Sequence, residues 1–335
     1  MKTTNLTLHQ PTHRGFDRLF AENHLTLGLM LPIESYPGAV PTLENHAILA
    51  QQAEQLGFGA LWVRDVPLHD PNFGDVGQIF DPWVYLGYLS AHTQTISLVT
   101  GSIVLPLRHP LHVAKAAASI DRLSGGRLIL GIASGDRPVE FPAFGIDFET
   151  RGDRFRESLD IFEQVLENSF PTVDSPLGTM TGTDLLPKPV ARSIPTLVTG
   201  TSRQTPEWIA ARADGWMYYT RDVEAQAQTI EQWRALTQKY APGTFKPFGQ
   251  ATYIDLASDP NTKPTPIHQG FRLGRNGLLE YLETWQDIGI NHIVLNLKYG
   301  QRPASEVIEE LAEYILPHFP TLPDRQPAPI ERSAA

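Results

Sequence analysis

The residues best suited to chemistry fall in short clusters, each following a run of apolar residues. The densest is Thr199-Gly200-Thr201-Ser202-Arg203, where hydroxyls, a small glycine and an arginine stand just ahead of a helical stretch. Backbone N–H groups at a helix start, helped by hydroxyls, cradle a phosphate. The same residues also make an ordinary helix cap and turn. Gly131-Ile132-Ala133-Ser134-Gly135 suits close backbone approach to a flat ligand. It lacks the G-x-G-x-x-G spacing of a dinucleotide loop. Asp65 and Asp136 are candidate acid–base carboxylates, and each stands beside an arginine, Arg64 or Arg137, that would equally make it an ion-pair partner. Arg108, Arg137 and Arg272 are candidates for holding a polar substrate group. Trp62, Trp216, Tyr218 and Tyr219 either line a flat apolar pocket or fill a core. His109 and His112 have a spacing open to metal, but no H-E-x-x-H pattern accompanies them, and Pro110 marks a plain helix start. No metal is expected.

These clusters need a scaffold, and the chain supplies one by strict alternation. Short apolar, β-branched runs suit a parallel sheet covered on both faces. They read as strands at 25–31, 60–63, 96–105, 128–132, 194–198, 216–219, 251–257 and 292–297. Between and after them lie amphipathic stretches at 44–56, 82–91, 112–123, 151–168, 205–213, 223–240, 276–288 and 305–316. Eight strand–helix units in unbroken order indicate one closed (β/α)8 barrel of the TIM type. Two connections are long, 135–150 after strand four and 258–275 after strand seven. Both leave C-terminal strand ends, where barrel enzymes build their sites. The organisation expected is an extension over 1–24, the barrel over 25–316, and a Pro-rich tail over 317–335, frayed or draped on the surface. Residues 169–193, on the opposite face, read as structural padding.

The bulk numbers narrow the partners. Twenty-seven basic against thirty-seven acidic residues give a net charge of −10, without a long basic run. Nucleic acid and anionic membranes are unsuitable partners for such a chain. There is no cysteine, so thiolate catalysis and disulfides are excluded. No secretory signal pattern and no apolar run of membrane-spanning length occur, so a cytoplasmic location is expected.

Five stretches, taken together and in order, carry a resemblance. They are Ala53-Glu54-Gln55-Leu56-Gly57-Phe58 before Leu61-Trp62-Val63; Thr100-Gly101-Ser102-Ile103-Val104-Leu105-Pro106 with His109-Pro110; Asp121-Arg122-Leu123-Ser124-Gly125-Gly126-Arg127-Leu128; Gly131 to Gly135; and Arg151-Gly152-Asp153-Arg154-Phe155. The sequence resembles the bacterial-luciferase-like flavin monooxygenases over about residues 25–316. The resemblance implies a barrel that binds FMN or, in a sister branch, the deazaflavin F420. It implies a homodimer, and it places the flavin phosphate on Thr199, Gly200, Thr201, Ser202 and Ser134. It also implies a non-prolyl cis peptide under the flavin ring, at Gly101-Ser102, with Thr100 and Trp62 beside the cofactor. One departure stands out. Luciferases proper end strand two with a catalytic histidine, whereas this chain reads Trp62-Val63-Arg64-Asp65-Val66. Long-chain aldehyde chemistry is therefore not expected, and Arg64, Asp65 and Arg108 become the candidate catalytic residues.

The expected function is oxygenation of a small organic substrate by reduced FMN and O2, the flavin being supplied by a separate reductase. The alternatives are hydride transfer with F420 or FMN on the same barrel, and a non-catalytic flavin-binding role. A flavin-free hydrolase or isomerase would need paired carboxylates or metal ligands at strand ends, and no convincing set is present.

Overall fold

A computed structural model describes residues 13–73 and 79–324 of the chain. Eight parallel strands run in chain order: β1 (Thr26–Met30), β2 (Ala60–Val63), β3 (Ser97–Thr100), β4 (Leu128–Ala133), β5 (Thr196–Thr199), β6 (Gly215–Tyr219), β7 (Phe248–Leu256) and β8 (His292–Asn296). Each pairs with the next, and β8 pairs with β1, which closes the barrel. Eight helices cover it: α1 (His46–Leu56), α2 (Pro82–His92), α3 (Pro110–Ser124), α4 (Arg151–Glu167), α5 (Pro206–Arg212), α6 (Val223–Tyr240), α7 (Arg275–Asp287) and α8 (Ala304–Tyr314). Among the described residues, no helix is long and apolar enough to cross a membrane.

Side-chain alternation along the strands separates two cores. Leu27, Leu29, Leu61, Leu98, Leu130 and Val198 point outward and pack under the helices. Met30, Trp62, Val99, Ile129, Leu197, Met217 and Val294 point inward and fill the barrel. Burying a Leu-sized side chain contributes roughly 1.5–3 kcal/mol, so these two layers dominate stability. α3 shows how local sequence sets the frame. His109 caps it by accepting from the Leu111 N–H, Pro110 occupies its first turn, and Gly125 ends it at φ 69°. Glycine tolerates that left-handed conformation without a Cβ penalty.

The lower end of the barrel is sealed. A short helix, Arg14–Leu19, in the stretch expected only as an extension, lies beneath it, with Leu19 and Phe20 buried in the inner core. A Cβ on Gly15 would lie 2.6 Å from the Arg127 carbonyl oxygen, so only glycine fits there. Arg127, 2% exposed, donates to the carbonyls of Ser90, Thr93, Ile96 and Ser124 and to the Thr93 hydroxyl. The stretch Asp121–Leu128 therefore knits the floor. The tail is not frayed where it is described: Phe319 is buried, the Leu322 N–H donates to the Arg18 carbonyl, and Asp324 pairs with Arg14 at 2.7 Å. The rest of the tail, and residues 1–12 of the extension, lie outside the described residues.

Three further expectations need correction. The apolar run 96–105 is not one strand. β3 stops at Thr100, a cis Gly101–Ser102 peptide follows, and Ile103–Val104 resumes as a second short strand paired with the end of β4. The segment read as padding contains a hairpin, Val173–Ser175 with Gly178–Met180. The long connection after β7 contains another, Thr265–Ile267 with Gly270–Leu273, whose second strand runs parallel to the upper half of β7. β7 pairs with β6 only from Phe248 to Ala251, so this hairpin continues the barrel wall above β6.

Candidate active site

Among the described residues, small side chains line part of the inner face at the upper end of the barrel. Ala133 is only partly buried, and Ala251 is exposed although Gln250 and Thr252 on either side are 0% exposed. Gly131 is fixed by contact: a Cβ there would lie 1.8 Å from the Thr100 carbonyl oxygen. The sequence-predicted cluster at 199–203 forms one side of this mouth. Gly200, Ser202 and Arg203 all have left-handed backbone angles, at φ 58°, 47° and 60°. These angles make the segment between β5 and α5 a tight turn. The loop is held rigidly. Trp216 Nε1 donates to the Gly200 carbonyl at 2.6 Å, Gly200 N–H donates to the Met217 carbonyl, and Ser202 Oγ donates to the Thr199 carbonyl. Thr199 and Ser102 share a short hydroxyl–hydroxyl hydrogen bond, which joins this loop to the cis peptide.

The start of α4 packs onto the same loop. Gln204 Nε2 donates to the Gly152 carbonyl, and Arg156 donates to Gln204 Oε1. A Cβ on Gly152 would stand 3.1 Å from the Arg203 Cβ, so glycine lets the two segments meet. This brings Arg151 and Arg203 together. Burial and then the charge of Arg203 lower the pKa of Arg151 from its ordinary value. Arg151 lies 3.4 Å over the Phe148 ring and donates to the Phe148 carbonyl, while its Nε is buried without a hydrogen-bond partner. Its nearest carboxylate, Glu149, is 4.0 Å away and 75% exposed. The charge of Arg203 is thus brought to bear on Arg151 beside the hydroxyls of the 199–202 loop. Arg151 was read in the sequence only as part of a motif, because its partner is 52 positions away.

Tyr219 stands over this loop, 58% exposed, close enough that a Cβ on Gly200 would touch its ring at 3.2 Å. Burial raises its phenol pKa, the negative charge of Asp136 adds to the shift, and Arg64 opposes it. Arg64 thus reaches the mouth electrostatically. Ser134 is buried at the end of β4, beside Gly135.

Four predicted residues occupy different positions from those expected. Asp65 does not pair with Arg64 and does not face the mouth as a free carboxylate. Its oxygens accept from Arg108 Nε and a terminal Arg108 nitrogen at 2.9 and 2.8 Å, and from the Val104 N–H at 3.1 Å. Arg108 is also engaged by Asp81 at 3.0 Å. A bidentate pair of this kind is geometry-setting, and here it anchors the segment after the cis peptide. Thr100 is 0% exposed and donates to the Gly131 carbonyl, so it ties β3 to β4 instead of reaching a ligand. Trp62, 1% exposed, lies in the barrel interior beneath Gly101, whose Cβ would meet it at 2.9 Å. Its indole N–H donates to His292 Nε2 at 3.0 Å. His292 was not singled out in the sequence. It is buried, its Nδ1 bonds the Thr26 hydroxyl at 2.7 Å, and desolvation lowers its pKa to about 3.

A family model described as luciferase-like monooxygenase matches residues 25–254. The alkanal monooxygenase alpha chain of Aliivibrio fischeri is 24% identical over 261 residues, covering 76% of this chain and 69% of that protein. Among solved structures, the monooxygenase RslO1 from Streptomyces bottropensis superposes with a TM-score of 0.73 at 20% identity, covering 88% of this chain and 99% of that one. An F420-dependent secondary alcohol dehydrogenase, solved with an F420–acetone adduct, gives 0.71 at 17% identity, covering 87% and 98%. At these identities the two structures establish the shared barrel.

Proposed function

The chain belongs to the luciferase-like monooxygenase family, and from that premise we propose that it is an FMN-dependent monooxygenase acting on a small organic substrate with reduced flavin and O2. The observation that carries the reading is the Arg151–Arg203 pair, with its buried and unsatisfied Arg151 Nε, beside the hydroxyls of the 199–202 loop. A phosphomonoester satisfies that donor set, because it brings two negative charges and several acceptor oxygens. Thr199, Thr201, Ser202, Ser134, Arg151 and Arg203 would hold the phosphate. Gly101, Ser102 and Ala133 would leave room for the ring. When bound, the flavin supplies the redox chemistry by which one atom of O2 enters the substrate and the other leaves as water.

The remaining roles belong to the chain. Tyr219 keeps its phenolic proton, since burial and Asp136 both oppose its loss, and so it donates a hydrogen bond toward an anionic ligand. Arg64 contributes positive potential at the mouth. Asp65 and Arg108 act by position, holding Val104 and through it the backbone beneath the ring. The connections after β4 and β7 exclude water from the mouth.

A homodimer is part of this proposal. α2 (PWVYLGYLSAH) carries no Asp, Glu, Lys or Arg, yet Val84 is 73% and Tyr88 42% exposed, with Phe80 and Ile48 also exposed. A helix apolar on all sides is suited to burial, and a second copy of the chain would cover it. A separate reductase would deliver the flavin in the cytoplasm. The deciding experiment is a titration of the protein with FMN, riboflavin and F420, anaerobically and reduced, followed by air. FMN is expected to bind well ahead of riboflavin, and reoxidation in air to be altered by the protein. Binding of F420 with none of FMN would move the chain to hydride transfer, and binding of neither would overturn the flavin assignment.

A further inference from the structure

Like charges repel, so two guanidiniums that feel each other need other contacts to stay where they are. Arg203 is near enough for its charge to add to the burial that lowers the Arg151 pKa. The segments that carry the two arginines are the first turn of α4 and the 199–203 loop. A neutral side chain, Gln204, joins them.

Gln204 is 8% exposed and follows Arg203 in the chain. Its Nε2 donates to the Gly152 carbonyl at 2.9 Å and to the Ser202 carbonyl at 3.1 Å. Its Oε1 accepts from Arg156 at 2.9 Å, and its backbone N–H donates to the Thr201 carbonyl at 2.8 Å. A primary amide carries two N–H groups on one nitrogen, so a single atom bonds a carbonyl on each segment. The reverse orientation would set the amide oxygen against two carbonyls and its NH2 against a guanidinium, so the assignment is fixed.

The two carbonyls belong to the residues flanking the arginines, Gly152 beside Arg151 and Ser202 beside Arg203. The amide therefore ties the backbones next to both charges. Trp216 and the Ser202 hydroxyl hold the loop to the barrel, through the Gly200 and Thr199 carbonyls. Gln204 sets how far α4 stands from that loop, and Gly152 permits the approach, since a Cβ there would lie 3.1 Å from the Arg203 Cβ. Other side chains fail at position 204 for stated reasons. A carboxylate lacks the donors, a cation adds a third like charge, and asparagine is one methylene shorter.

We propose that Gln204 is a positioning residue: its amide holds the Arg151 segment against the Arg203 loop, and so sets the preference of the protein for a phosphorylated flavin over the same flavin without phosphate. Both amide N–H groups are spent within the protein, so Gln204 acts through the arginines. The identity of the ligand rests on the flavin reading; the link between the two segments does not.

Anaerobic calorimetric titration with reduced FMN and reduced riboflavin tests it. Gln204→Met keeps the reach and removes the hydrogen bonds. It should weaken FMN about 10-fold or more and leave riboflavin within about 2-fold. Adding Gln204→Met to Arg151→Ala should cost FMN at most about 2-fold beyond Arg151→Ala alone, because the two act through one contact. Gly152→Ala, which wedges the segments apart with Gln204 intact, should weaken FMN about 3-fold or more and leave riboflavin unchanged. In the protein without ligand, amide exchange over 151–157 and 199–206 should quicken in Gln204→Met while β4 keeps its protection. Additive losses in the double variant, equal losses for both flavins, or unchanged exchange in both segments would overturn the assignment. Binding of neither flavin by the native protein, with exchange quickened as described, would overturn the flavin reading and leave the link between the segments standing.

Discussion

The two ends of this barrel solve opposite problems. At the floor most buried polar groups have found partners, Arg18 Nε being an exception. Arg127 is saturated by carbonyls and a hydroxyl, His292 is bonded at both ring nitrogens, and Glu54 accepts from the N–H groups of Gln94, Thr95 and Ile96. Burial opposes the charge of Glu54, and those N–H groups outweigh it, holding its pKa below the ordinary value. At the mouth the groups are left incomplete. Arg151 Nε lacks an acceptor, the positive charge of Arg203 bears on Arg151, and Ala251 is exposed. A satisfied buried network stabilises a fold, while an unsatisfied one stores affinity for whatever completes it. The contrast implies that floor substitutions act on stability and mouth substitutions on binding.

The largest expected effect concerns His292. Its pKa in the fold, about 3, lies below the unfolded value of about 6.5, so the unfolded chain binds the proton first as pH falls. Stability is therefore fully present above about pH 6.5, is lost as pH falls toward 3, and declines by on the order of 5 kcal/mol in all. Chemical denaturation across that range should show a steeper acid slope for the native protein than for His292→Gln; equal slopes would remove His292 from the account.

Next comes Gly131→Ala. A methyl 1.8 Å from a backbone oxygen cannot be relieved by a side-chain rotation. A loss of about 4 kcal/mol or more is expected, seen as a large fall in melting temperature or in soluble yield. A variant that melts within a few degrees of the native protein would contradict the packing described.

On the mouth side, Arg151→Ala and Arg203→Ala should each weaken FMN by roughly 10–100-fold, the range of one charge-assisted hydrogen bond. Riboflavin, lacking the phosphate, should bind as before, and melting temperature should barely move. Equal losses for both ligands would place the phosphate elsewhere. The smallest effect is Trp62→Phe, which leaves His292 Nε2 without its donor and should cost about 1–3 kcal/mol of stability. An FMN affinity that falls while stability holds would reverse the placing of Trp62 as a buried interior residue.

Much of the floor and scaffold was legible in the sequence because it is written in local periodicity. Strand runs such as 60–63 and helix stops such as Gly125 each lie within one element. The run 96–105 misled for the same reason. Ile103 and Val104 are as apolar and buried as Leu98, and nothing in that pattern marks a break at Gly101. The hairpins at 173–180 and 265–273 are short and largely exposed, so they carry no periodic signal. At the site, the loop 199–203 was visible from composition. The Asp65–Arg108 pair and the Arg151–Arg203 approach were not, since tertiary closure alone brings positions 43 and 52 apart together.

The clasp between Arg14 and Asp324 has a practical corollary. It brings the first and last described stretches of chain together beneath the floor, on the pole facing away from the mouth. A linker joining Arg14 and Asp324 directly would be short, and new ends could be cut into an exposed surface turn such as that at Gly243, giving a circular permutant with the same barrel. By the same geometry, a bead or an electrode attached beside Arg14 or Asp324 would hang from the closed pole and leave the opposite end of the barrel to solution.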